Sequence, residues 1–265
     1  MLGALIGDIA GSRFEWHNHK SKEFTLLTRS GGCRLTDDSV MTLAVAAAIL
    51  DCGGSFEQLG NAAVRRMQEL GRRYPRAGYG GRFLRWIAEK DPKPYHSFGN
   101  GAAMRVSPCA WAASSPEEAR ALARAVTAVT HDHPEGMKAA QAVAETIFLA
   151  RQGMDLPALR VHVTKNWYPI GFTLEEIRAD YGFDVTCQGS VPQAFEALFE
   201  STGFEDAIRC AVSVGGDSDT IAAITGSMAE AVYGIPEELR ARALEFPDEF
   251  QREILTAFED KFGHK

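Results

Sequence analysis

Alanine-rich segments with apolar residues three or four positions apart dominate the sequence, and this spacing places the apolar residues on one face of an α-helix. The clearest segments are 39–50, 116–129, 134–151 and 218–233. Further helical patterns cover 55–73, 78–90, 100–112, 189–200, 204–213 and 236–262. Patterns typical of β-strands are scarce, since only short pieces such as 183–187 look extended. The sequence therefore predicts an all-α fold.

No Pro/Gly/Ser-rich linker, internal repeat or low-complexity segment separates these helices. A chain of 265 residues, with 45% hydrophobic and 24% charged residues, buries a substantial core, which excludes the disordered and fibrous classes. We therefore expect residues 1–265 to form a single domain, a compact bundle of many closely packed helices.

Charge and cysteine usage narrow the functional classes. The formal net charge is −7, from 35 acidic and 28 basic residues, which argues against a general nucleic-acid-binding protein. The five cysteines are scattered and form no C-x-x-C pair, so neither a disulfide framework nor a structural zinc site is expected. The first residues lack the basic region of a signal peptide, and no apolar run reaches membrane-spanning length. We expect a cytoplasmic protein with no membrane partner.

Two matched acidic segments stand at helix starts: TDDS at 36–39 and GGDSDT at 215–220. Acids and hydroxyls are common N-terminal caps, but a cap needs one such residue, whereas each segment holds two acids with flanking hydroxyls. Adjacent carboxylates repel each other, and a hard divalent cation with oxygen ligands removes that repulsion. If the two helix starts meet in space, a site for Mg²⁺ or Mn²⁺ is favoured, with helix capping as the alternative.

Four other segments carry candidate functional groups. Glu15 lies between two aromatic residues that could exclude water, although alone it is more typical of a surface acid. Residues 98–105 form a glycine-rich turn leading into a helix, whose free N–H groups suit an anion or a sugar. The H-x-H pair at 131–133 lies between helices, which favours a ligand-contacting loop over a zinc site. Cys187 precedes a helix without a basic partner, so a structural or ligand-lining thiol is expected there.

An arginine-rich stretch from Arg65 to Arg85 also includes Arg66, Arg72, Arg73 and Arg76. Charged residues in such a run usually form a solvated helix face. We interpret the stretch in this way and treat a phosphate site as the alternative.

Six of these segments, in this order, resemble the ADP-ribosylglycohydrolase family, which includes the dinitrogenase reductase activating glycohydrolase. They are G-D-x-x-G-S-x-x-E, T-D-D-S, G-N-G-A-A-M-R, T-H-x-H-P-E-G, C-x-G-S-V-P and G-G-D-S-D-T-I-A. The resemblance runs from Gly3 to about Glu238. It departs from the family only slightly at T-D-D-S, where the usual last threonine is Ser39 and the hydroxyl is kept.

The resemblance implies a compact all-α fold and a dinuclear Mg²⁺ (or Mn²⁺) centre that hydrolyses N- or O-glycosidic bonds at C1″ of ADP-ribose. The implied metal ligands are Thr36, Asp37, Asp38, Asp217, Asp219 and Thr220. The implied catalytic residues are Glu15, Asp38 and Asp219. The implied substrate-binding residues are Phe98, Gly99, Asn100, Gly101, Met104, His131, Gly189, Ser190 and Val191.

The expected partner is ADP-ribose, or a protein or small molecule that carries it. The chain is short for the family, so the linkage stays open among arginine, serine, a nucleic-acid end, a free conjugate and O-acetyl-ADP-ribose. The oligomeric state also stays open. An alternative is a catalytically inert ADP-ribose-binding module, although such a module does not need six metal ligands. Phosphatases with D-x-D-x-T are disfavoured because Ile221 replaces the threonine, and D-x-D glycosyltransferases need strands that this sequence lacks.

Overall fold

Helices account for nearly all regular structure in the computed structural model, which describes residues 1–263. The α-helices are α1 (Leu2–Gly11), α2 (Asp37–Asp51), α3 (Leu59–Arg73), α4 (Gly81–Ala88), α5 (Ser107–Ala112), α6 (Pro116–Thr127), α7 (Pro134–Arg151), α8 (Leu156–Asn166), α9 (Leu174–Arg178), α10 (Cys187–Phe199), α11 (Phe204–Ser213), α12 (Ser218–Tyr233), α13 (Glu237–Ala243) and α14 (Glu249–Phe262). Strand-type pairing within residues 1–263 is limited to one bridge, between Gly99 and Thr186. The all-α prediction is confirmed. None of the described helices combines the length and apolar character needed to cross a membrane.

The centre of the fold is the crossing of α1 and α12. Every residue of α1 is buried, and so are the residues of α12 from Ser218 to Ala229. Gly3, Gly7 and Gly11 recur every fourth residue and therefore share one face of α1. A Cβ atom on Gly7 would lie 2.0 Å from the carbonyl oxygen of Ala222, so only glycine permits this approach. The C-terminal end of α1 consequently lies directly against the N-terminal end of α12.

Helix α2 begins at the same end of the molecule. Thr36 is its N-cap, and its side-chain hydroxyl accepts a hydrogen bond from the backbone N–H of Asp38. Asp217 occupies the N-cap position of α12. The two acidic segments identified in the sequence meet in space, since the Thr220 hydroxyl lies 3.2 Å from Asp38 Oδ2. This is the condition on which the expected cation site depends.

Several helix boundaries differ from the sequence prediction. The segment 236–262 is two helices, because Pro247 cannot continue α13 and the next residue, Asp248, caps α14 through its side chain. The segment 100–112 divides into a 3₁₀ turn (Asn100–Ala102) and α5. Helices α8 and α9 were not predicted, although Asp155 and Thr173 cap them with side-chain hydrogen bonds. Residues 183–187 form no strand beyond the single bridge at Thr186.

Candidate active site

A cleft of about 420 Å³ opens where α2 and α12 begin. Most of the residues predicted for the site line it: Glu15, Asp37, Asp38, Gly99, Asn100, Gly101, Met104, His131, Asp217, Asp219 and Thr220. Residues of five of the six sequence motifs therefore converge on one cavity, although the most distant of them are some two hundred positions apart in the chain.

Carboxylates form two overlapping groups at this cleft. One group is Asp8, Asp38 and Asp219, and the other is Glu15, Asp217 and Asp219. Within each group one oxygen of every carboxylate lies within 4.8 Å of the others, which is close enough to share a cation. Asp219 belongs to both groups and thus links them.

Asp8 is a site residue that sequence reasoning missed. Its Oδ1 accepts a hydrogen bond from the Thr36 hydroxyl at 2.7 Å, and its Oδ2 accepts from the backbone N–H groups of Thr36 at 2.9 Å and Ser39 at 3.1 Å. The Ser39 hydroxyl also donates to Oδ2. Asp8 therefore fixes the first turn of α2. The sequence did contain a signal for Asp8: it is an acid in an otherwise apolar helix, and a buried charged group needs a partner.

Burial and mutual repulsion make the acids weak. The pKa of Asp37 rises to about 7, first because of burial and then because of Asp8, Asp217 and Glu15. Burial, followed by neighbouring carboxylates, raises the pKa values of Asp38 and Asp219 well above the usual value. Both causes disfavour the charged form, and a bound cation would reverse them.

One carboxylate oxygen of this cluster is left unpaired within the part of the chain that the structure describes. Asp38 Oδ1 is buried and has no hydrogen-bond partner among residues 1–263, whereas Asp38 Oδ2 accepts from the hydroxyls of Thr36 and Thr220, each at 3.2 Å. An unpaired buried carboxylate oxygen is costly unless it coordinates a metal. The donors are all oxygen atoms, and such a set suits Mg²⁺ or Mn²⁺ better than zinc.

A chain of hydrogen bonds positions Asp217. The side-chain amide of Asn100 donates to Asp217 Oδ2 at 2.6 Å and to the Ser190 hydroxyl at 3.0 Å. Ser190 in turn donates to the backbone carbonyl of Asp184 at 2.8 Å. The glycine-rich turn and the first turn of α10 therefore hold an acid of α12 in place.

His131 also lines the cleft, and its imidazole is neutral. The buried His131 places Nδ1 2.7 Å from the Thr130 hydroxyl, and Arg105 donates to that hydroxyl at 2.6 Å. Burial and the nearby positive charge of Arg105 lower the pKa of His131 well below its usual value. Gly101 and Gly99 leave room beside this ring, since a Cβ atom on Gly101 would lie 3.3 Å from His131 Nε2. This wall adds hydrogen-bonding groups without adding a histidine charge.

Glu15 is a partly exposed member of the acid cluster that lines the cleft. Its side chain is 18% exposed, and Oε2 lies 4.0 Å from the Arg34 guanidinium. Burial, followed by the charge of Asp217, raises its pKa. Trp16 does not bury Glu15, because its side chain is 71% exposed and stacks on Phe183 with ring centres 4.9 Å apart. Trp16 therefore forms part of the edge of the cleft and does not exclude water from Glu15.

Some predicted residues do not line the cleft: Thr36, Phe98, Gly189, Ser190 and Val191. Thr36 and Ser190 act through their hydrogen bonds to Asp8 and Asn100. Val191 is part of the hydrophobic core, and Phe98 packs beside His133.

Other lining residues were not identified from the sequence. Arg82 and Tyr95 line the cleft, with the Arg82 guanidinium 4.8 Å from the centre of the Tyr95 ring. Phe183 and Val185 line it from the segment predicted to be extended. No motif marks these positions, so only the fold reveals them.

Cys187 is the first residue of α10 and is buried. Its thiol donates to the carbonyl oxygen of Gly99 at 3.1 Å, and burial raises the pKa of the thiol. A thiol that stays protonated is a poor nucleophile, which agrees with the structural role expected from the sequence.

Comparison with known proteins matches this arrangement to one family. The sequence profile described as ADP-ribosylglycohydrolase matches residues 1–264. The ADP-ribosylarginine hydrolase Tri1 of Pseudomonas putida (strain GB-1) is 25% identical over 261 residues, covering 89% of this chain and 70% of the relative. The ADP-ribosylhydrolase ARH3 of Homo sapiens is 25% identical, with 89% and 85% coverage. The ADP-ribosyl-[dinitrogen reductase] glycohydrolase of Rhodospirillum rubrum is 24% identical, also with 89% and 85% coverage.

A solved structure described as an ADP-ribosylglycohydrolase-related protein complex has the same fold, with a TM-score of 0.65 and 23% identity. It covers 97% of this chain, and the similarity extends over 94% of that structure. The family resemblance read from the six motifs is thereby confirmed, as is the prediction of a hydrolase. The chain belongs to the ADP-ribosylglycohydrolase family.

Proposed function

We propose that this chain is a Mg²⁺-dependent ADP-ribosyl hydrolase that cleaves the C1″ glycosidic bond joining ADP-ribose to a protein or a small molecule. Mn²⁺ is the alternative metal. The observation that carries the proposal is the pair of carboxylate groups sharing Asp219 at a cleft large enough for a small ligand.

The residues that would hold two cations are those whose oxygen atoms converge. Asp38 and Asp219 with Asp8 would hold one cation, and Asp217 and Asp219 with Glu15 would hold or flank the second. Asp37 and Thr220 line the same end of the cleft and complete the predicted set, while Thr36 supports it from behind through Asp8. The chemistry such cations supply when bound is charge neutralisation of the acids and acidification of a water molecule.

The cleft walls suit the rest of the ligand. Gly99 and Gly101 bring backbone close to the cavity, and neutral His131 stands beside them. Arg82 is the exposed cation that lines the cleft, opposite in sign to a diphosphate. We therefore place the diphosphate on the side of Arg82 and the distal ribose on the side of the acids.

Hydrolysis then requires a carboxylate near the anomeric carbon. In the proposed reaction a water oxygen bonds to C1″ while the bond from C1″ to the aglycone breaks, and the departing atom takes up a proton. Positive charge develops at C1″ in such reactions, and a carboxylate stabilises it. Glu15 is our candidate for this role because it lines the cleft, and its raised pKa also suits it to accept the proton of the water. In this proposal Asp38 and Asp219 assist by holding the other carboxylates of the cluster in position.

The test is release of free ADP-ribose from a panel of arginine, serine, nucleic-acid-end and O-acetyl linkages, with Mg²⁺, with Mn²⁺ and with EDTA. Wild-type chain should release ADP-ribose from at least one linkage only when a divalent cation is present. Asp38→Asn and Asp219→Asn should lose at least a hundredfold in rate. Asp91→Asn is the matched control, since the Asp91 side chain is 80% exposed and does not line the cleft.

Two results would count against the proposal. Full activity in EDTA or in both acid variants would remove the metal assignment. Tight binding of ADP-ribose by calorimetry without turnover of any linkage would instead favour the inert binding module.

A further inference from the structure

A second groove of about 660 Å³ lies next to the cleft and is lined by arginines. We call it the arginine groove; its cationic residues are Arg29, Arg34, Arg73 and Arg76. It adjoins the cleft through the backbone, since Leu35 and Ala77 line the groove while the nearby Asp37 and Gly78 line the cleft. The fold thus brings together two arginines of the loop before α2, the last residue of α3 (Arg73), and Arg76 from the segment after α3.

Three of these four arginines have no acidic partner among residues 1–263. No carboxylate lines the groove, and within residues 1–263 no Asp or Glu oxygen lies within 4.0 Å of the guanidinium of Arg29, Arg73 or Arg76. Arg34 alone reaches an acid, Glu15, at 4.0 Å. The nearby Asp248 is engaged by the Tyr74 hydroxyl at 2.8 Å. The groove therefore carries four positive charges, although the net charge of the chain is −7.

The rest of the arginine-rich stretch behaves differently. Arg66 pairs with Asp51 at 2.6 Å and with Glu69 at 2.9 Å. Arg72 donates to the carbonyl oxygen of Ile87 at 2.8 Å. The solvated-face interpretation of the sequence therefore fits part of the stretch, whereas Arg73 and Arg76 turn into the groove.

Aromatic and amide groups complete the groove. The guanidinium of Arg73 lies 4.2 Å from the centre of the Phe250 ring, and that of Arg29 lies 5.5 Å from Phe246, so stacking restrains both side chains. Gln251 lines the groove although it is only 4% exposed. Its Oε1 accepts from the backbone of Asp248, while its Nε2 donates no hydrogen bond to any of residues 1–263. The side-chain amide of Gln251 thus adds a neutral donor to the charged ones.

We propose that the arginine groove binds a ligand carrying several phosphate groups, such as a nucleoside polyphosphate. Four arginines that line one groove can bind several negative charges at once, and an oligophosphate carries these charges more densely than a peptide carries carboxylates. The planar guanidinium fork matches phosphate oxygens in pairs. None of the catalytic acids lines the groove, and only Arg34 reaches one of them, so variants of Arg73 and Arg76 test the groove separately from the proposed hydrolysis.

The test is calorimetric titration of the full chain with inorganic tripolyphosphate at low salt and in EDTA. Arg73→Gln combined with Arg76→Gln should weaken binding at least tenfold. Arg65→Gln combined with Arg85→Gln is the matched control, since these exposed arginines come from the same stretch but do not line the groove. The control should stay within twofold of wild type. Parallel titrations with ATP and with a 5′-phosphorylated single-stranded oligonucleotide distinguish a free nucleotide from a phosphodiester strand as the source of the phosphates.

Arg29→Gln combined with Arg34→Gln provides a second test on exposed loop residues, should the first pair fail to fold. Absence of tripolyphosphate binding at millimolar concentration would overturn the proposal. Equal weakening by the groove and control pairs would also overturn it, because that result reports only the overall charge. Asn100→Ala, which alters the cleft, should leave tripolyphosphate binding unchanged.

Discussion

Replacing Gly7 by alanine tests the close crossing of α1 and α12. The added Cβ would lie 2.0 Å from the carbonyl oxygen of Ala222, whereas ordinary contacts begin near 3.4 Å. The two helices would have to separate locally by about 1.4 Å, the difference between these distances. Both sides of the contact are backbone, so no side chain rotates away.

The energetic consequence follows from the size of this overlap. Overpacking a core usually costs ~1–3 kcal/mol, and a clash with backbone belongs at the upper end. Alanine is favoured over glycine in a helix by ~1 kcal/mol, which offsets part of the cost. We therefore expect Gly7→Ala to lower the free energy of unfolding by ~2 kcal/mol. Activity should also fall, because separation of α1 from α12 moves Asp8 away from Asp219.

Urea unfolding followed by circular dichroism measures the effect, with Gly60→Ala as the matched control. A Cβ on Gly60 in α3 would lie 3.5 Å from the nearest atom, an ordinary contact, so this variant should be unchanged or more stable by up to ~1 kcal/mol. A Gly7→Ala chain with wild-type stability and activity would refute the view that this crossing holds the acids together.

Three further predictions concern the site. Asn100→Ala should slow ADP-ribose release at least tenfold, measured with Mg²⁺, because Asp217 loses its 2.6 Å donor; an unchanged rate would contradict that role. In EDTA, stability should fall from pH 5 to pH 8 in urea unfolding, since folding raises acid pKa values and the folded state therefore binds more protons. For Asp37, the rise in pKa from 3.8 to about 7 corresponds to at most ~4 kcal/mol of unfolding free energy. This stabilisation is present below about pH 4 and lost by about pH 7. An unfolding free energy that does not change with pH would contradict the prediction. The Cys187 thiol should react with iodoacetamide at pH 8 far more slowly in the folded chain than in urea, by mass spectrometry, because it is buried and protonated; equal rates would contradict this.

Local patterns in the sequence were sufficient for much of the fold and for the acids on α2 and α12. Alanine-rich periodicity predicted α6 and α7, and paired acids at helix starts predicted that Asp38 and Asp219 share a site. The polar residues of the strong motifs were therefore identified as site residues from the sequence alone.

The remainder depends on tertiary contacts. Asp8 reads as an interruption of an apolar helix until the α1–α12 crossing places it beside Asp219. Arg82 and Tyr95 belong to segments without a motif, and their place in the cleft follows from how α4 and the 89–99 loop pack. Ser190 carries a motif, yet its hydroxyl acts behind Asn100 because α10 packs against the outer side of the glycine-rich turn.

The α1–α12 crossing also bears on how the chain reaches its active form. Ser218 contacts the carbonyl of Gly11 across 207 positions, and Thr220 contacts Asp38 across 182. Contacts this distant in sequence form late and slow folding, because a long loop must close first. During synthesis the buried surface of α1 stays without its partner until α12 has been made. Activity would then report completion of folding, since no fragment lacking α12 contains the site.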